Sequence, residues 1–361
     1  MPSYFTSFEQ ACPNIQGALD NLWATGRSPG ADDRMPTAEF LVSPANRKGI
    51  VAEILPGRGK IKTVEVRYRP RGLESAVLED QANPNCTATG YYGNNITEYT
   101  IDPDQNLQIG EAIPVDANEL ACMDNAEYFA EKLAWHIDVM DRRVATELNT
   151  QAVALTGGWG ATIPHNGIQP GQVNFADQLV IATLLSGGAT LDPKGWTYLR
   201  NALEDSGFPS DVYIAGGGVM RTYLQQIMAG CCGDNGIDLG AIMAQYGYAF
   251  AYDKRTKNAL GSDSEFLVLS PGALQVLAYT RAEGKAAFGT IWNQSSNYLY
   301  TTIASPRLGL PYDLTVKDDC GTLNMTLTAT VKTIGMPTDM FAIGDDYHGI
   351  TYAAQGIVTN P

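Results

Sequence analysis

Histidine, charged side chains and long apolar runs are all scarce in this sequence. Three histidines occur in 361 residues, charged residues make up 17%, and the first basic residue is Arg27, which follows Glu9 and Asp20. A secretory signal needs a basic start before its apolar core, and a membrane span needs ~20 apolar residues, so neither is predicted. We therefore expect a soluble protein that is made in the cytoplasm and has no membrane partner.

Cysteine is present but lacks the spacing of metal sites and disulfide frameworks. Six cysteines occur, at positions 12, 86, 122, 231, 232 and 320, without a C-x-x-C pair and without histidines at zinc spacing. In a reducing compartment we expect free thiols and no metal or other cofactor. The state of the adjacent Cys231 and Cys232 stays open between buried thiols, a metal site and a strained disulfide.

Catalytic motifs are also missing. The sequence has no G-x-S-x-G, H-E-x-x-H or Walker loop, and the segment 102–113 has the acidic start of a calcium loop without its glycine. His136, His165 and His348 lie far apart in different local settings. We therefore predict no catalytic residues and no enzyme activity.

One feature is nevertheless found in enzymes. In the run VYIAGGGVMRTYL, Gly216, Gly217 and Gly218 follow a predicted strand and precede a predicted helix. Backbone amides at such a junction can hold a phosphate. The spacing differs from the dinucleotide pattern G-x-G-x-x-G, so a tight strand-to-helix turn explains the glycines more simply. An α/β enzyme that binds a phosphorylated ligand at this turn is kept as an alternative.

The abundant residue types favour a large folded protein rich in strands and turns. Hydrophobic residues make up 44% of the chain, with 37 glycines and 18 tyrosines. The net charge is -15, whereas tight nucleic-acid binding depends on Lys and Arg that displace counterions. Any nucleic acid is therefore expected to be held weakly.

The longest helical pattern spans 124–155, DNAEYFAEKLAWHIDVMDRRVATELNTQAVAL. Asp124 and Glu127 have capping-box spacing, and Asp138 and Arg142 have the favourable i,i+4 spacing. Apolar residues recur along one face at positions 126, 129, 133, 137, 140, 144 and 148. The pattern predicts a rod of about 50 Å at ~1.5 Å per residue, longer than a compact domain usually needs.

A β-hairpin is predicted in KGIVAEILPGRGKIKTVEVRYRPRG, where apolar residues alternate on both sides of a turn at 56–59. Eight basic residues lie between positions 47 and 71 against two acidic ones, whereas 72–131 holds twelve acidic residues and no Lys or Arg. A two-stranded ribbon with two polar faces has too little core to be stable alone. We therefore expect the ribbon to lie on another surface.

We interpret the two charge blocks as complementary surfaces of neighbouring copies, with the charges setting orientation. Pairing within one subunit, and contact of the basic hairpin with nucleic acid, stay open as alternatives. The expected inter-subunit contacts of the extended loop are Arg58, Lys60, Lys62, Arg67, Arg69 and Arg71. The expected acidic partner surface consists of Glu74, Glu79, Asp80, Asp102 and Asp104.

The remaining segments predict a mixture of helices and strands. Helices are expected at about 175–186, from Asp192 to Gly207, and after Gly218. Strands are expected in DVYIAG, YAFAYDK, EFLVLS, NYLYTTIA, YDLTVKDD and TLNMTLTATVKTIG, with DDCGT as a hairpin turn and one or two more strands in the tail. The segment PGALQVLAY is expected to form a turn and a short helix, and the first 46 residues an extended arm with one short helix and no core of its own.

This order of elements resembles the major capsid protein of tailed double-stranded DNA bacteriophages, the Hong Kong 97-type capsid fold. The local matches are the long-helix segment DNAEYFAEKLAWHIDVMDRRV, the stretch DPKGWTYLRNALEDSGFPSDVYIAGGGVMRTYL, the segment EFLVLSPGAL, and PRLGLPYDLTVKDDCGTLNMTLTATVKTIGMPTD. The resemblance covers nearly the whole chain and rests on element order, because this family has no diagnostic short motif.

The resemblance implies an α+β fold made of an arm, an extended β-hairpin loop, a peripheral domain with a spine helix, and an axial α/β domain. The implied parts are an N-terminal arm at 1–46, the extended loop and its return at 47–100, a peripheral domain at 101–207 with the spine helix at 124–156, an axial domain at 208–296, peripheral-domain strands at 297–340 and C-terminal strands at 341–361.

The resemblance further implies a structural shell protein that self-assembles through pentamers and hexamers into an icosahedral virion capsid. The capsid would enclose double-stranded DNA without sequence-specific binding, with scaffold, portal and decoration proteins as further partners. Because the chain begins almost directly with the arm, a scaffold is expected to be a separate protein or absent. Lys60 and Lys62 have the position of isopeptide cross-links found in some members, but no Asn and Glu partners are identifiable. An encapsulin-like protein nanocompartment of the same fold is the alternative.

Overall fold

The computed structural model describes the chain in a series of ranges that together hold its main helix and three sheets. The described residues are 33–44, 46, 52–54, 62–68, 95–102, 106–114, 125–155, 157–158, 212–218, 247–261, 265–269, 271–280, 291–293, 298–319, 322–335 and 351–355.

Helices and strands both contribute, which confirms the predicted α+β class. The helices of the described part, numbered in chain order, are α1 (Pro36–Val42), α2 (Asn125–Leu155) and α3 (Lys254–Leu260). The three-stranded sheet consists of β1 (Ala52–Ile54), β2 (Lys62–Tyr68) and β3 (Asn95–Ile101). The six-stranded sheet consists of β4 (Leu107–Pro114), β9 (Leu274–Tyr279), β10 (Ile291–Asn293), β11 (Tyr298–Ala304), β12 (Pro311–Asp319) and β13 (Thr322–Gly335). The five-stranded sheet consists of β5 (Gly157–Gly158), β6 (Val212–Gly216), β7 (Tyr248–Tyr252), β8 (Glu265–Leu269) and β14 (Thr351–Gln355).

The long helix α2 runs for 31 residues and is confirmed almost residue for residue. Its predicted apolar face is buried, because Leu133, Ile137, Met140, Val144 and Leu148 are all 0% exposed. This face packs on β13 and β4 of the six-stranded sheet and on α1 and α3. Burying one such side chain stabilises a fold by ~1.5–3 kcal/mol, so the stripe fixes the helix firmly on the sheet.

The six-stranded sheet is built around β13, which has 14 residues and two sets of partners. Thr322 to Ala329 lie between β12 and β4, whereas Thr330 to Gly335 pair with β9. The predicted hairpin at DDCGT is confirmed, because Asp319 pairs with Thr322 across antiparallel β12 and β13. Side chains on one face form apolar rows, such as the cross-strand row Leu314, Leu327 and Ile109, that meet α2.

The three-stranded sheet confirms the hairpin pairing and adds a strand that was not predicted. Ile54 of β1 pairs with Val64 of β2, and β3 pairs along the other edge of β2. Val64 of β2 and Ile101 of β3 are 0% and 1% exposed, so the sheet removes apolar side chains from solvent. The third strand supplies part of the core that two strands lack.

The five-stranded sheet is mixed, with β6 parallel to β7, β14 parallel to β5, and β8 antiparallel to both β6 and β14. The predicted strands in DVYIAG, YAFAYDK and EFLVLS are confirmed. The short helix predicted in PGALQVLAY is wrong, because Leu274–Tyr279 form strand β9 beside β13. Its burial follows the strand period, so pairing with β13 overrides the local helical preference.

Helix α3 was not predicted, although the sequence carries its stop and start signals. The carboxylate of Asp253 accepts a hydrogen bond from the Arg255 backbone amide at 2.8 Å, which caps the first turn. Gly261 ends the helix with φ 83°, a left-handed conformation that glycine adopts without a Cβ clash.

The N-terminal part of the described chain is packed into the body. Helix α1 begins with Pro36 in its first turn, and its neighbour Met35 is 0% exposed. Ala38 and Leu41 of α1 are 0% and 2% exposed and belong to the same core as α2. The short helix expected near the N-terminus therefore shares the core of the body, and the arm boundary at position 46 stays a prediction.

Candidate functional site

The three-stranded sheet is attached to the body at one end. The Tyr99 hydroxyl donates to the Gly335 carbonyl oxygen at 2.6 Å, and the Lys332 ammonium donates to the Thr100 carbonyl oxygen at 2.6 Å. Both contacts join the last residues of β3 to the last residues of β13. We call this end the anchored end of the extended sheet.

The register shows which connections leave from the anchored end. Lys62 pairs with Ile101 at one end of the ladder, whereas Tyr68 pairs with Asn95 at the other end. The link between β1 and β2 therefore starts and finishes near the anchored end, and the link between β2 and β3 leaves from the far end. Lys62 lies at the start of β2, next to the link from β1 and therefore at the anchored end, and its predicted contact with a neighbouring copy stays a prediction.

A cleft of about 710 Å³ lies beside the anchored end. Its walls come from the end of β3, the start of β4, the C-terminal part of α2 and the middle of β13. Asp102, Glu147, Gln151 and Thr333 contribute polar groups, and Leu155 contributes an apolar edge. Gln151 links two of these walls, because its side-chain oxygen accepts from the Thr333 amide at 2.6 Å.

The predicted contact residues are only partly within the described chain. Lys62 and Arg67 lie in β2, opposite Ile101 and Ile96, and Asp102 is half-buried beside the cleft. The other predicted contact residues lie outside the described residues: Arg58, Lys60, Arg69, Arg71, Glu74, Glu79, Asp80 and Asp104. Whether the basic and acidic sets meet across subunits therefore stays a prediction, as do the domain boundaries.

Two arginines, with side chains 12% and 14% exposed, hold residues 33–39 onto the body. Arg255 of α3 forms an ion pair with Asp33, and Arg307 in the turn between β11 and β12 donates to the Asp33 carbonyl oxygen. Arg307 also lies 3.5 Å from the Glu39 carboxylate and 3.8 Å from the Asp138 carboxylate of α2. One guanidinium thus connects the N-terminal segment, the six-stranded sheet and the long helix.

A buried carboxyl group lies next to this arginine. Asp141 of α2 accepts hydrogen bonds from the Tyr312 hydroxyl at 2.6 Å and from the Ser305 hydroxyl at 2.8 Å. Burial raises the pKa of Asp141 to about 6, against the opposing effect of these hydrogen bonds and of the Arg307 charge. Burial likewise raises the pKa of the Tyr312 hydroxyl well above its usual value, so it stays a donor.

Asn46 performs a similar joining role through neutral groups. Its side-chain amide donates to the carbonyl oxygens of Leu41 and Leu274 at 2.9 and 2.7 Å, and its side-chain oxygen accepts from the Gly272 amide at 2.8 Å. The Gln275 side chain donates to the Asn46 carbonyl oxygen at 2.9 Å. These bonds satisfy every polar group of the Asn46 side chain and join α1 to β9.

A third buried group joins the helices to one another. The Thr256 hydroxyl of α3 donates to the Asn149 side-chain oxygen of α2 at 2.6 Å. Because its hydrogen is used in this bond, the same hydroxyl accepts from the Thr37 hydroxyl of α1 at 2.9 Å. The Thr37 amide donates to the Asp253 carboxylate at 3.2 Å. A chain of hydrogen bonds therefore crosses all three described helices.

These groups hold surfaces together, and their arrangement suits a structural role. In the described ranges no group of three or more His, Cys, Asp and Glu side chains could hold a metal ion. None of the helices described here is long and apolar enough to cross a membrane. At the glycine turn, the Gly216 carbonyl oxygen accepts from the Asp253 amide, so β6 is tied to α3 at this point.

Sequence reasoning missed the residues that make these joints. Arg307, Asn46 and Tyr99 are polar residues in segments without a catalytic or metal-binding pattern, so no spacing rule selects them. Lys332 carried a weak signal, because it is the single charged residue of β13. The predicted Asp138–Arg142 pair of α2 is confirmed.

Comparisons with known proteins agree with this architecture at the level of structure. No protein-family model and no curated protein matches the sequence. The chain is similar to the solved cyanophage A-1(L) capsid asymmetric unit, with a TM-score of 0.51 and 13% identity over 92% of this chain and 96% of that chain. Weaker likenesses include the capsid of Ralstonia phage GP4, with a TM-score of 0.41 and 12% identity over 86% and 87% of the two chains. A virus-like particle from Pyrococcus furiosus has a TM-score of 0.39 and 7% identity over 95% and 98%.

The likeness to the cyanophage capsid structure confirms the predicted fold. This chain has the fold of a phage capsid protein.

Proposed function

We propose that this chain is a structural shell protein that self-assembles into an icosahedral phage capsid around double-stranded DNA. The observation that carries the proposal is the fold shared with the cyanophage A-1(L) capsid structure, which extends over 92% of this chain and 96% of the other.

The architecture supports a wall element. Helix α2 has 31 residues, about 46 Å at ~1.5 Å per residue, and lies along a sheet instead of being wrapped by one. The extended sheet is attached to this body at one end only in the contacts described above. Long, rigid units with a protruding sheet can bury area against neighbours and close by symmetry into pentamers and hexamers.

The charge balance supports confinement of DNA without tight binding. A net charge of -15 gives little counterion release on contact with phosphates. Scaffold, portal and decoration proteins are further partners under this proposal, and the virion capsid is the location. The protein acts as a structural component and not as an enzyme.

The extended sheet is the proposed reach to a neighbouring copy. Arg67 lies near the far end of β2, and Arg69 follows β2 in the sequence, whereas Lys62 lies at the anchored end. Reversing the charge of Arg67 and Arg69 is expected to reduce assembly, and reversing Glu79 and Asp80 in addition is expected to restore part of it. Lys254→Glu, at an exposed position of α3 outside the extended sheet, is the control and should change assembly less. Normal particles from the variant with reversed charges at Arg67 and Arg69 alone would contradict this contact.

The test of the function is the size and shape of the expressed full-length protein. Size-exclusion chromatography followed by negative-stain microscopy is expected to show closed shells of many copies. A small oligomer under all assembly conditions would contradict a shell protein and favour the α/β enzyme. Shells that copurify with a protein cargo and without DNA would favour the encapsulin-like alternative.

A further inference from the structure

His136 of α2 lies inside the body beside the edge of the six-stranded sheet and is 1% exposed. Its Nδ1 atom is 2.8 Å from the Lys132 carbonyl oxygen. A carbonyl oxygen can only accept, so Nδ1 carries the hydrogen of this bond. One ring nitrogen is therefore assigned, and the state of the other depends on what it faces.

The other ring nitrogen faces a carboxylate. Nε2 of His136 is 3.3 Å from Oε2 of Glu111 in β4. The second carboxylate oxygen, Oε1, accepts from the Lys132 ammonium at 3.0 Å. Glu111 Oε2 is buried and has no hydrogen-bond donor among the described residues unless His136 supplies one.

The two facing atoms are both acceptors when His136 is neutral. With its hydrogen on Nδ1, a neutral imidazole presents a lone pair at Nε2, and a carboxylate oxygen opposite it is left unsatisfied. One additional proton changes this contact into a charge-assisted hydrogen bond. The geometry of three atoms thus makes the contact between α2 and β4 dependent on a proton.

The contacts of His136 and Glu111 place both signs of charge beside the imidazole ring. The charged groups placed against His136 are Glu111 of β4 and Lys132 of α2, and the Trp135 ring meets the imidazole edge-on with centroids 5.0 Å apart. On the sheet, Glu111 lies opposite Met325 of β13, which in turn lies opposite Val316 of β12, and neither side chain titrates.

Two charged groups of the other helices on α2 have partners away from His136. Glu39 of α1 lies near Arg307, and Arg255 of α3 pairs with Asp33. His136 and Glu111 therefore form a local unit, coupled to solvent through the half-exposed side chains of Lys132 and Glu111.

We propose that His136 and Glu111 form a proton-operated clamp between α2 and β4. The clamp holds one additional proton between Nε2 and Oε2, and its release loosens β4 from the long helix. Because β4 follows closely after β3, the proton controls how firmly the chain is held just inside the anchored end of the extended sheet. This proposal depends on the contact geometry and does not require that the protein form a shell.

The test compares wild-type protein with Glu111→Gln. A glutamine amide can donate to the neutral Nε2, so this variant should keep the contact without the additional proton. Nitrogen-15 spectra of the histidine rings, assigned by comparison with His136→Gln, report whether Nε2 is protonated across a pH series. Amide-exchange protection factors in β4 report how firmly the strand is held.

In wild-type protein we expect Nε2 to be protonated at low pH, and its deprotonation to coincide with about a tenfold loss of protection in β4, the size expected for one charge-assisted hydrogen bond. Glu111→Gln should show the neutral Nδ1–H tautomer and constant protection over the same range. Lys132→Met, which removes the ammonium but keeps the facing pair, should retain the transition.

Two results would overturn the clamp. The first is an Nε2 atom that stays unprotonated in wild-type protein at every pH while β4 protection is constant. The second is a Glu111→Gln variant with the same pH-dependent protection as wild type. If Glu111→Gln does not fold, the wild-type spectra and exchange data decide alone.

Discussion

The six-stranded sheet and the extended three-stranded sheet are held in different ways. The first is covered by a helix whose apolar face is fully buried and is fastened by ion pairs and hydrogen bonds around Arg307 and Asp141. In the described part of the chain, the second is joined to the body at one end by the hydrogen bonds of Tyr99 and Lys332. The body therefore depends mainly on burial, whereas we expect the position of the extended sheet to depend more on polar contacts. Changes in the two regions should therefore separate stability from placement.

The largest effect is expected from the buried helix stripe. Ile137→Ala should lower the free energy of unfolding by about 4 kcal/mol, because a 0% exposed side chain leaves a cavity between α2 and the sheet. Glu131→Ala, at an exposed position of the same helix, is the control and should change it by less than ~0.5 kcal/mol. Denaturant unfolding measures both. Equal losses in the two variants would mean that burial does not set the stability of the body.

The next effect is a pH dependence that originates in Asp141. Burial raises the pKa of this carboxyl from 3.8 to about 6 in the folded protein. Between these values the folded state holds a proton that the unfolded chain releases, so the contribution is fully present below pH 3.8 and is lost as the pH rises through about 6. Relative to Asp141→Asn, wild-type stability should fall by about 3 kcal/mol over this window. Parallel stability curves for the two proteins would show that Asp141 does not titrate there.

A smaller effect is expected from Arg307. Arg307→Met removes the donor to the Asp33 carbonyl oxygen and the positive charge beside Asp138. The substitution should lower the free energy of unfolding by about 2 kcal/mol. Amide exchange should rise first in α1, because the N-terminal segment loses one of its two arginine contacts. Lys254→Met, at an exposed position of α3, serves as the control. Unchanged amide exchange in α1 would show that other contacts hold the N-terminal segment on the body.

The smallest change in stability should come from the anchored end of the extended sheet. Tyr99→Phe removes the neutral hydrogen bond to the Gly335 carbonyl oxygen and should lower the free energy of unfolding by about 1 kcal/mol or less. Its effect on how firmly the extended sheet is held against the body should be larger. Amide exchange should be faster in β3 and unchanged in α2. Tyr252→Phe, at a 42% exposed position outside this sheet, is the control. If Tyr99→Phe accelerates exchange in α2 as strongly as in β3, the two regions are not separate.

Sequence periodicity predicted the parts of the fold that depend on burial. The stripe from Leu133 to Leu148 identified α2, and alternation identified β12 and β13 with the turn between them. It failed at Leu274–Tyr279, where the partner strand β13 decides the conformation, and it missed β3, which completes the extended sheet. The local pattern of a segment contains no information about a partner strand that lies elsewhere in the sequence.

The joints at Arg307, Asn46 and Tyr99 could not be predicted for a related reason. Each donates to a backbone carbonyl oxygen of a distant segment. Every residue has such an oxygen, so the sequence does not indicate which one is the partner. The charge blocks were visible, but their pairing across copies remains a prediction.

Strand β13 has a mechanical consequence. Its N-terminal part is bonded on both edges by β12 and β4, its C-terminal part is bonded to β9, and its last residue accepts the Tyr99 hydroxyl. A pull transmitted through the extended sheet therefore enters β13 at one tip and runs along its length, where it must shear many backbone hydrogen bonds at once instead of opening them one after another. The strand therefore distributes mechanical load over the hydrogen bonds of the whole sheet.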